Sequence, residues 1–125
     1  MGKMILFVDD DPHWHLVVET SLNDAGYHVV AVSNAGDAIL HLGGVKPDLI
    51  ILDLDLGGDN GLMLMKFVKQ HLPEVPVLLY TGMEHDNQFV QRMLQQGAQQ
   101  YLRKGALADL IQAVQAAIQQ RSGLG

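Results

Sequence analysis

The sequence contains no cysteine, few basic residues and no long apolar run. A chain without cysteine cannot form disulfides, use a thiolate nucleophile or hold zinc or iron–sulfur centres through thiolates, and it suits a reducing cytoplasm. Eight lysines and arginines stand against 14 acidic residues, and the net charge of −6 argues against direct nucleic-acid binding, because phosphate backbones favour a basic surface. The first apolar run, Met4–Val8, is too short for a signal peptide, and no run approaches the ~20 residues of a membrane helix, so we expect no membrane segment.

The 125 residues predict one α/β domain built around a parallel sheet. Short apolar runs, typical of strands buried on both faces, alternate five times with segments whose apolar residues recur at helical spacing. We expect a five-stranded parallel sheet in the order 2-1-3-4-5, with helices on both faces, as in flavodoxin-like folds. A single domain should cover residues 1–125, with its core at about 3–120 and a tail or the start of a linker at 121–125. The predicted strands are Met4–Val8, Val29–Val32, Leu49–Leu52, Val77–Tyr80 and a weaker Tyr101–Leu102.

Six of the 14 acidic residues follow the first and third predicted strands. Ligands of open parallel sheets bind outside the carboxyl ends of the strands, and in the order 2-1-3-4-5 these two strands are neighbours at the switch point. Two carboxylates ~5 Å apart repel each other by about 3 kcal/mol at an effective dielectric constant of ~20, so the cluster needs a counter-charge. Oxygen ligands without histidine or cysteine favour Mg²⁺, with Mn²⁺ as an alternative. The six residues are Asp9, Asp10, Asp11, Asp53, Asp55 and Asp59.

Thr81 after the fourth strand and Lys104 after the fifth complete a set of residues suited to phosphoryl transfer. Asp53 can attack phosphorus and become an aspartyl phosphate. A metal ion and Lys104 would neutralise the developing charge, and Thr81 would bind phosphoryl oxygens. The alternative is that the loop aspartates only cap helices, and Asp11 before Pro12 fits an N-cap followed by proline at the first helical position.

At these residues the chain resembles the receiver domains of response regulators in two-component signalling, over about Lys3 to Gln120. The stretches that carry the resemblance are, in order, ILFVDDDP, PDLIILDLDLGGDNG, VPVLLYTG and QQGAQQYLRKG. The resemblance implies that Asp53 is the phosphoacceptor, that Asp10 binds Mg²⁺ directly and that Asp9 acts through a water molecule. It further implies four roles: the main-chain carbonyl of Asp55 as the third protein ligand, Thr81 as the switch hydroxyl, Lys104 as the partner of the phosphate, and Tyr101 as the switch aromatic.

This resemblance implies a phosphorylation-activated switch in the cytoplasm, not an enzyme with a substrate of its own. A histidine kinase, a phosphotransfer protein of a phosphorelay or a small phosphodonor would supply the phosphoryl group in a Mg²⁺-dependent reaction. The domain would catalyse only its own phosphorylation and dephosphorylation. The face made by helix 4, strand 5 and helix 5 would then change its affinity for a downstream output domain or protein, without direct contact with nucleic acid or a membrane. The kinase, the output and the choice between a stand-alone regulator and a domain of a longer chain, such as a hybrid kinase, stay open.

The chain departs from the usual pattern of the family in three respects, the third of which concerns a pair of positions. The family usually has proline where this chain has Gly57, and proline with a cis peptide where it has Gly105. A cis bond without proline costs roughly 2.5–4 kcal/mol, so a trans Lys104–Gly105 bond that places the lysine differently stays open. Asp55 and Met83 occupy the positions that tune the lifetime of the phosphoryl group in this family.

Two other functions fit parts of the sequence. LDLDLGG also resembles the Asp-x-Asp motif of haloacid-dehalogenase-type phosphatases, although that motif follows the first strand of those enzymes. A pseudo-receiver that binds partners without being phosphorylated is the second alternative, supported only by Gly57 and Gly105. A flavin-binding flavodoxin is disfavoured because the first loop is acidic. The six histidines carry no site signal: His13 and His15 point apart on a helix and are predicted to lie on the surface.

Overall fold

The fold alternates five strands with five helices. The computed structural model describes residues 2–56 and 60–123. Each strand lies within one residue of its predicted bounds at either end. Helix α5 runs three residues into the stretch predicted to be a tail, so the backbone there is helical as far as Gly123. The elements are β1 Met4–Val8, α1 Pro12–Asp24, β2 His28–Val32, α2 Ala35–Leu42, β3 Leu49–Leu52, α3 Asn60–His71, β4 Val77–Thr81, α4 Asn87–Gln95, β5 Gln100–Arg103 and α5 Leu107–Gly123.

The five strands form one parallel sheet in the order β2-β1-β3-β4-β5, which confirms the predicted topology. Every residue of β3 and β4 is buried, because helices cover both faces of the sheet at its centre. Strand β5 lies at one edge of the sheet and stays partly exposed. Val8 at the end of β1 pairs with Val32 on one side and with Leu52 on the other. The ends of β1 and β3 therefore lie side by side.

Alternate residues of the strands supply two separate cores, one on each face of the sheet. Leu6 contributes to one core and the adjacent Phe7 contributes to the other. This arrangement explains the continuous apolar runs in the sequence, since both faces of each central strand must be apolar. The core on one face includes Phe7, Val18, Leu22, Tyr80, Leu110 and Val114, and the core on the other includes Leu6, Leu52, Leu64, Met65, Leu79 and Met93.

Side-chain caps fix where three of the helices begin. Asp11 accepts a hydrogen bond from the His13 N–H at 2.9 Å, with Pro12 as the first helical residue, which confirms the capping role predicted for Asp11. Asn34 caps α2 and Asp86 caps α4 in the same manner. These caps hold the loops after β1, β2 and β4 at one end of the sheet. Among the described residues, no helix combines the length and apolarity needed to cross a membrane.

A glycine at the start of α3 allows the helix to approach the loop after β3. A Cβ atom added at Gly61 would lie 2.6 Å from the carbonyl oxygen of Leu54 and 2.7 Å from its Cα. No side chain fits at that distance, so the loop that carries Asp53 and Asp55 packs directly against the first turn of α3.

Candidate functional site

Three carboxylates meet where β1 and β3 end. Asp9 and Asp10 follow β1, and Asp53 follows β3. The backbone N–H of Asp53 donates to the carbonyl of Val8 at 2.9 Å, so parallel pairing continues to the first acidic residue. One carboxylate oxygen from each of the three residues lies within 4.8 Å of the others. Asp9 and Asp53 are buried and Asp10 is exposed, so the cluster opens to solvent on the side of Asp10.

Lys104, the residue after β5, reaches this cluster with its side chain. Its Nζ lies 2.6 Å from Asp9 Oδ2 and 2.9 Å from Asp53 Oδ2. The peptide bonds of the described residues are all trans. Gly105 has a φ of +120°, a backbone conformation that residues other than glycine rarely adopt. The trans Lys104–Gly105 bond is therefore compatible with a lysine directed into the site.

Burial and charge act in opposite directions on these groups. Burial raises the pKa of Asp53 above its ordinary value, although the Asp55 N–H and Lys104 both act to lower it. Burial alone would lower the pKa of Lys104, but its hydrogen bonds to Asp9 and Asp53 and their charges outweigh burial and raise that pKa. Lys104 thus stays cationic beside a carboxylate whose ionised form is disfavoured by desolvation. Any further positive charge nearby would stabilise the ionised form of Asp53.

The two buried carboxylates are oriented by their own loops. Asp9 Oδ1 accepts from the Asp11 N–H, and Asp53 Oδ1 accepts from the Asp55 N–H, each at 2.9 Å. The second oxygen of each carboxylate faces Lys104. Three carboxylates in this arrangement offer the hard oxygen ligands that Mg²⁺ and Mn²⁺ prefer, and exposed Asp10 leaves room for water on the ion. The donor set therefore fits the predicted divalent cation.

Thr81 lies at the site, but its hydroxyl is directed at Asp55. Thr81 is the last residue of β4 and has no exposed surface. Its Oγ1 donates to Asp55 Oδ2 and accepts a long hydrogen bond from the Met83 N–H at 3.4 Å. The sequence placed the Asp55 carboxylate in the acidic cluster and at a position that tunes the phosphoryl lifetime, but it did not predict this hydrogen bond with Thr81. The adjacency of β3 and β4 was the signal that could have linked these two side chains.

Tyr101 lies beside His85, which the sequence did not single out. The Tyr101 hydroxyl hydrogen-bonds with His85 Nδ1 and lies 3.5 Å from the carbonyl oxygen of Met83. The His85 ring stacks on Phe89 of α4 with centroids 4.4 Å apart. Burial raises the pKa of Tyr101, and the charge of Asp55 raises it further. The predicted switch aromatic is therefore connected to the loop after β4 and to the first turn of α4.

Two residues of α1 also contact the site, and the prediction that both neighbouring histidines are surface residues was wrong for one of them. His15 is half-buried, with its Nε2–H donating to the main-chain oxygen of Asp9 and its ring in edge contact with Phe7. Trp14 lies against Lys104, whose Nζ is 5.2 Å from the centroid of the ring. Their positions depend on the path of α1 over the sheet, which the spacing of residues in the sequence did not reveal.

Some residues predicted for the site lie outside the carboxylate cluster, and others lie outside the residues that the structure describes. Asp11 caps α1 and takes no part in the carboxylate cluster. Gly57 and Asp59 lie outside the described residues, so the departure from the family pattern at Gly57 stays a prediction.

Comparison with known proteins agrees with this geometry. The family profile of the response regulator receiver domain matches residues 5–115. The nitrogen assimilation regulatory protein NtrX of Azorhizobium caulinodans is 34% identical over 112 residues, which is 87% of this chain and 24% of that protein. The DNA-binding transcriptional regulator NtrC of Salmonella typhimurium is 33% identical over 101 residues, which is 81% of this chain and 21% of that protein. The chain thus spans less than a quarter of the length of these two relatives.

Solved structures show the same fold. A CheY-like response regulator receiver domain protein from Methanospirillum hungatei superposes with a TM-score of 0.92 at 23% identity, and the match covers 100% of both chains. A structure of NtrX from Brucella abortus gives a TM-score of 0.87 at 28% identity, covering 98% of this chain and 28% of that one. The position of Asp53 after the third strand, with the profile match, overturns the interpretation of LDLDLGG as a dehalogenase-type phosphatase motif.

Proposed function

Because the chain belongs to the response regulator receiver domain family, whose general role is that of a phosphorylation switch, we propose that it accepts a phosphoryl group on Asp53. The observation that carries the proposal is the buried ion-pair network in which Lys104 Nζ contacts both Asp9 and Asp53. The donor would be a histidine kinase, a phosphotransfer protein or a small phosphodonor such as acetyl phosphate. A cytoplasmic location and a single receiver domain with its core at about residues 3–120 are parts of the same proposal.

The carboxylate cluster would hold the metal that the family uses. The side chains of Asp9, Asp10 and Asp53, together with the main-chain carbonyl of Asp55, would bind Mg²⁺, or Mn²⁺ in its place. When bound, the cation would neutralise part of the negative charge around the transferred phosphoryl group. The cation would stabilise the ionised form of Asp53, which burial disfavours.

Asp53 would be the nucleophile of the transfer. Its Oδ2 attacks phosphorus and forms an O–P bond, while the bond from phosphorus to the donor breaks and releases imidazole from a phosphohistidine or acetate from acetyl phosphate. Lys104 faces the same oxygen of Asp53 and stabilises the negative charge on the phosphoryl group. Later attack of water on phosphorus returns the Asp53 carboxylate and releases inorganic phosphate, so the signal limits itself.

Thr81 and Tyr101 would carry the change to the surface. The Thr81 hydroxyl would leave Asp55 and donate to a phosphoryl oxygen, pulling the loop after β4 with it. That loop holds Met83 and His85, which both contact the Tyr101 hydroxyl. A shift in this loop therefore alters the face made by α4, β5 and α5, where a downstream output domain or protein would bind. A bias of a few kcal/mol between two such states is enough for a switch.

The test is the intact mass of the protein after incubation with acetyl phosphate, with and without Mg²⁺. We expect a single phosphoryl adduct that requires Mg²⁺ and disappears in Asp53→Asn. Asp24→Asn, which changes an exposed carboxylate at the end of α1, is the matched control and should retain the adduct. Failure of the parent chain both to gain an adduct and to bind beryllofluoride with Mg²⁺ would contradict the proposal and favour a pseudo-receiver.

A further inference from the structure

The hydroxyl that is expected to sense the phosphoryl group is already bound to another anion. Thr81 Oγ1 donates to Asp55 Oδ2 inside the protein, where Thr81 has no contact with solvent. Thr81 provides the donor at the end of β4, and Asp55 provides the acceptor in the loop after β3. The contact therefore joins the ends of two neighbouring strands across the site.

A threonine hydroxyl carries one hydrogen, so it can donate to only one acceptor at a time. The proposed switch requires Thr81 to donate to an oxygen of the phosphoryl group on Asp53. Hydrogen bonds to an ionised acceptor are roughly twice as strong as bonds between neutral groups. The Asp55 carboxylate and the phosphoryl group must therefore compete for the same hydrogen.

The backbone of Asp55 is held in place by two contacts, so its carboxylate extends from a defined position toward Thr81. Its N–H donates to Asp53 Oδ1 at 2.9 Å, and Leu54 beside it packs against Gly61 with no room for an intervening Cβ. Asp55 itself is only half-exposed. The competing acceptor is thereby held two residues from the phosphoacceptor.

We propose that the Asp55 side chain is a positioning residue that holds Thr81 in the unphosphorylated arrangement and so disfavours the switched state. The proposal rests on phosphorylation of Asp53 and gives the Asp55 carboxylate a role separate from that of its main-chain carbonyl. Asp55 would act in two ways: its charge repels an incoming anion, and its hydrogen bond retains Thr81. The experiment must separate the two.

The probe is beryllofluoride with Mg²⁺, titrated into the full chain by calorimetry. Asp55→Asn removes the charge but keeps an oxygen that can accept from Thr81, whereas Asp55→Ala removes both. We expect Asp55→Ala to bind beryllofluoride about tenfold more tightly than Asp55→Asn, the effect of one retained hydrogen bond. The difference should vanish when each change is combined with Thr81→Val, because valine has no hydroxyl to retain.

Equal affinities for Asp55→Asn and Asp55→Ala would overturn the proposal, since charge repulsion alone would then account for the role of Asp55. Persistence of the tenfold gap in the Thr81→Val background would overturn it as well. A parent chain that binds neither beryllofluoride nor a phosphoryl group would refute the proposed function and this inference together. A parent chain that binds both, with no gap between the variants, would refute this inference alone.

The parent chain offers a second readout that needs no variant. A hydroxyl proton that is buried and hydrogen-bonded exchanges slowly with water, so Thr81 should give a hydroxyl proton resonance in the unphosphorylated protein. Addition of beryllofluoride with Mg²⁺ should move that resonance as the acceptor changes. Rapid exchange of the Thr81 hydroxyl proton before the addition would overturn the inference even if every substituted chain failed to fold.

Discussion

Lys104 is the residue on which the electrostatics of the site depend. Its side chain is 10% exposed, and the Asp9 and Asp53 side chains that it contacts are 0% and 3% exposed. Removing one partner of a buried ion pair leaves an uncompensated charge in a poorly solvated place, which costs much more than the loss of an exposed pair. The pair of Arg103 with Glu84, at 3.0 Å on the surface nearby, provides the comparison.

We therefore expect Lys104→Met to lower the free energy of unfolding by about 3 kcal/mol in metal-free buffer. The matched change Arg103→Gln should alter it by less than about 1 kcal/mol, because both side chains of that pair are more than half exposed. Urea unfolding of both variants in the presence of a chelator measures the two values. Equal effects would mean that the buried lysine contributes no more than a surface charge does.

Residues at the strand ends could be found from the sequence, and residues that reach the site from elsewhere could not. Asp9 and Asp53 directly follow apolar runs, and Lys104 follows the last strand, so their convergence follows from the topology of the sheet. The contact of His15 with Asp9 and the contact of His85 with Tyr101 depend on helix and loop paths, for which the sequence held no marker. Side-chain direction within a loop is set by local backbone angles and not by spacing.

Gly61 brings the first turn of α3 into contact with the loop that carries Asp53. An alanine in an ordinary helical position stabilises the helix relative to glycine by up to about 1 kcal/mol. At Gly61 the added Cβ would lie 2.6 Å from a backbone oxygen and less than 3 Å from two backbone carbons of Leu54, so the helix or the loop must move. Steric overlap therefore outweighs helix propensity at this position.

We expect Gly61→Ala to destabilise the fold by about 1–3 kcal/mol, the usual cost of overpacking, and to reduce phosphorylation of Asp53 as the loop shifts. Gly44→Ala is the matched control, because a Cβ there meets only the His41 carbonyl oxygen at 3.9 Å. Thermal unfolding and the yield of phosphoryl adduct would be measured for both. A Gly61→Ala protein as stable and as reactive as the Gly44→Ala protein would contradict the expectation.

Strands were easier to predict than loops for a physical reason. The central strands β3 and β4 are apolar on both faces, so their ends are marked by the first polar residue, and the predicted bounds agree to within one residue. The isomer of the Lys104–Gly105 bond was left open because the family usually has a cis proline bond there, whereas a cis bond before glycine is costly. The structure resolves it as trans, with a φ of +120° at Gly105 that redirects the chain after the lysine.

The acidic cluster lies at one end of a protein whose net charge is already −6. A cation bound there relieves the full repulsion only in the folded state, since the unfolded chain separates Asp53 from Asp9 and Asp10. Ligands that bind the folded state alone stabilise it by mass action. The stability of this fold should therefore follow the concentration of divalent cation.

We expect Mg²⁺ at a hundredfold excess over its Kd to raise the melting temperature by on the order of 10 °C. Asp10→Asn should remove most of that rise, and, since Asp10 is exposed, it should leave the fold itself intact. Asp24→Asn, with its carboxylate at the far end of α1, should keep the full rise. Calorimetric scans with and without Mg²⁺ would provide the comparison, and a parent chain indifferent to Mg²⁺ would argue against a metal site.

The position of Trp14 should allow the intrinsic fluorescence of the protein to report on the site. Trp14 is the one tryptophan of the chain, and its ring lies 5.2 Å from the ammonium of Lys104 and in edge contact with Tyr80, with centroids 5.7 Å apart. All indole fluorescence of the protein thus arises beside the lysine that contacts Asp53. Ammonium groups interact electrostatically with the π electrons of a nearby ring, so we expect any movement of Lys104 toward a bound anion to change the emission. If the site binds an anion as proposed, its occupancy should be measurable in real time from tryptophan emission, without any attached dye.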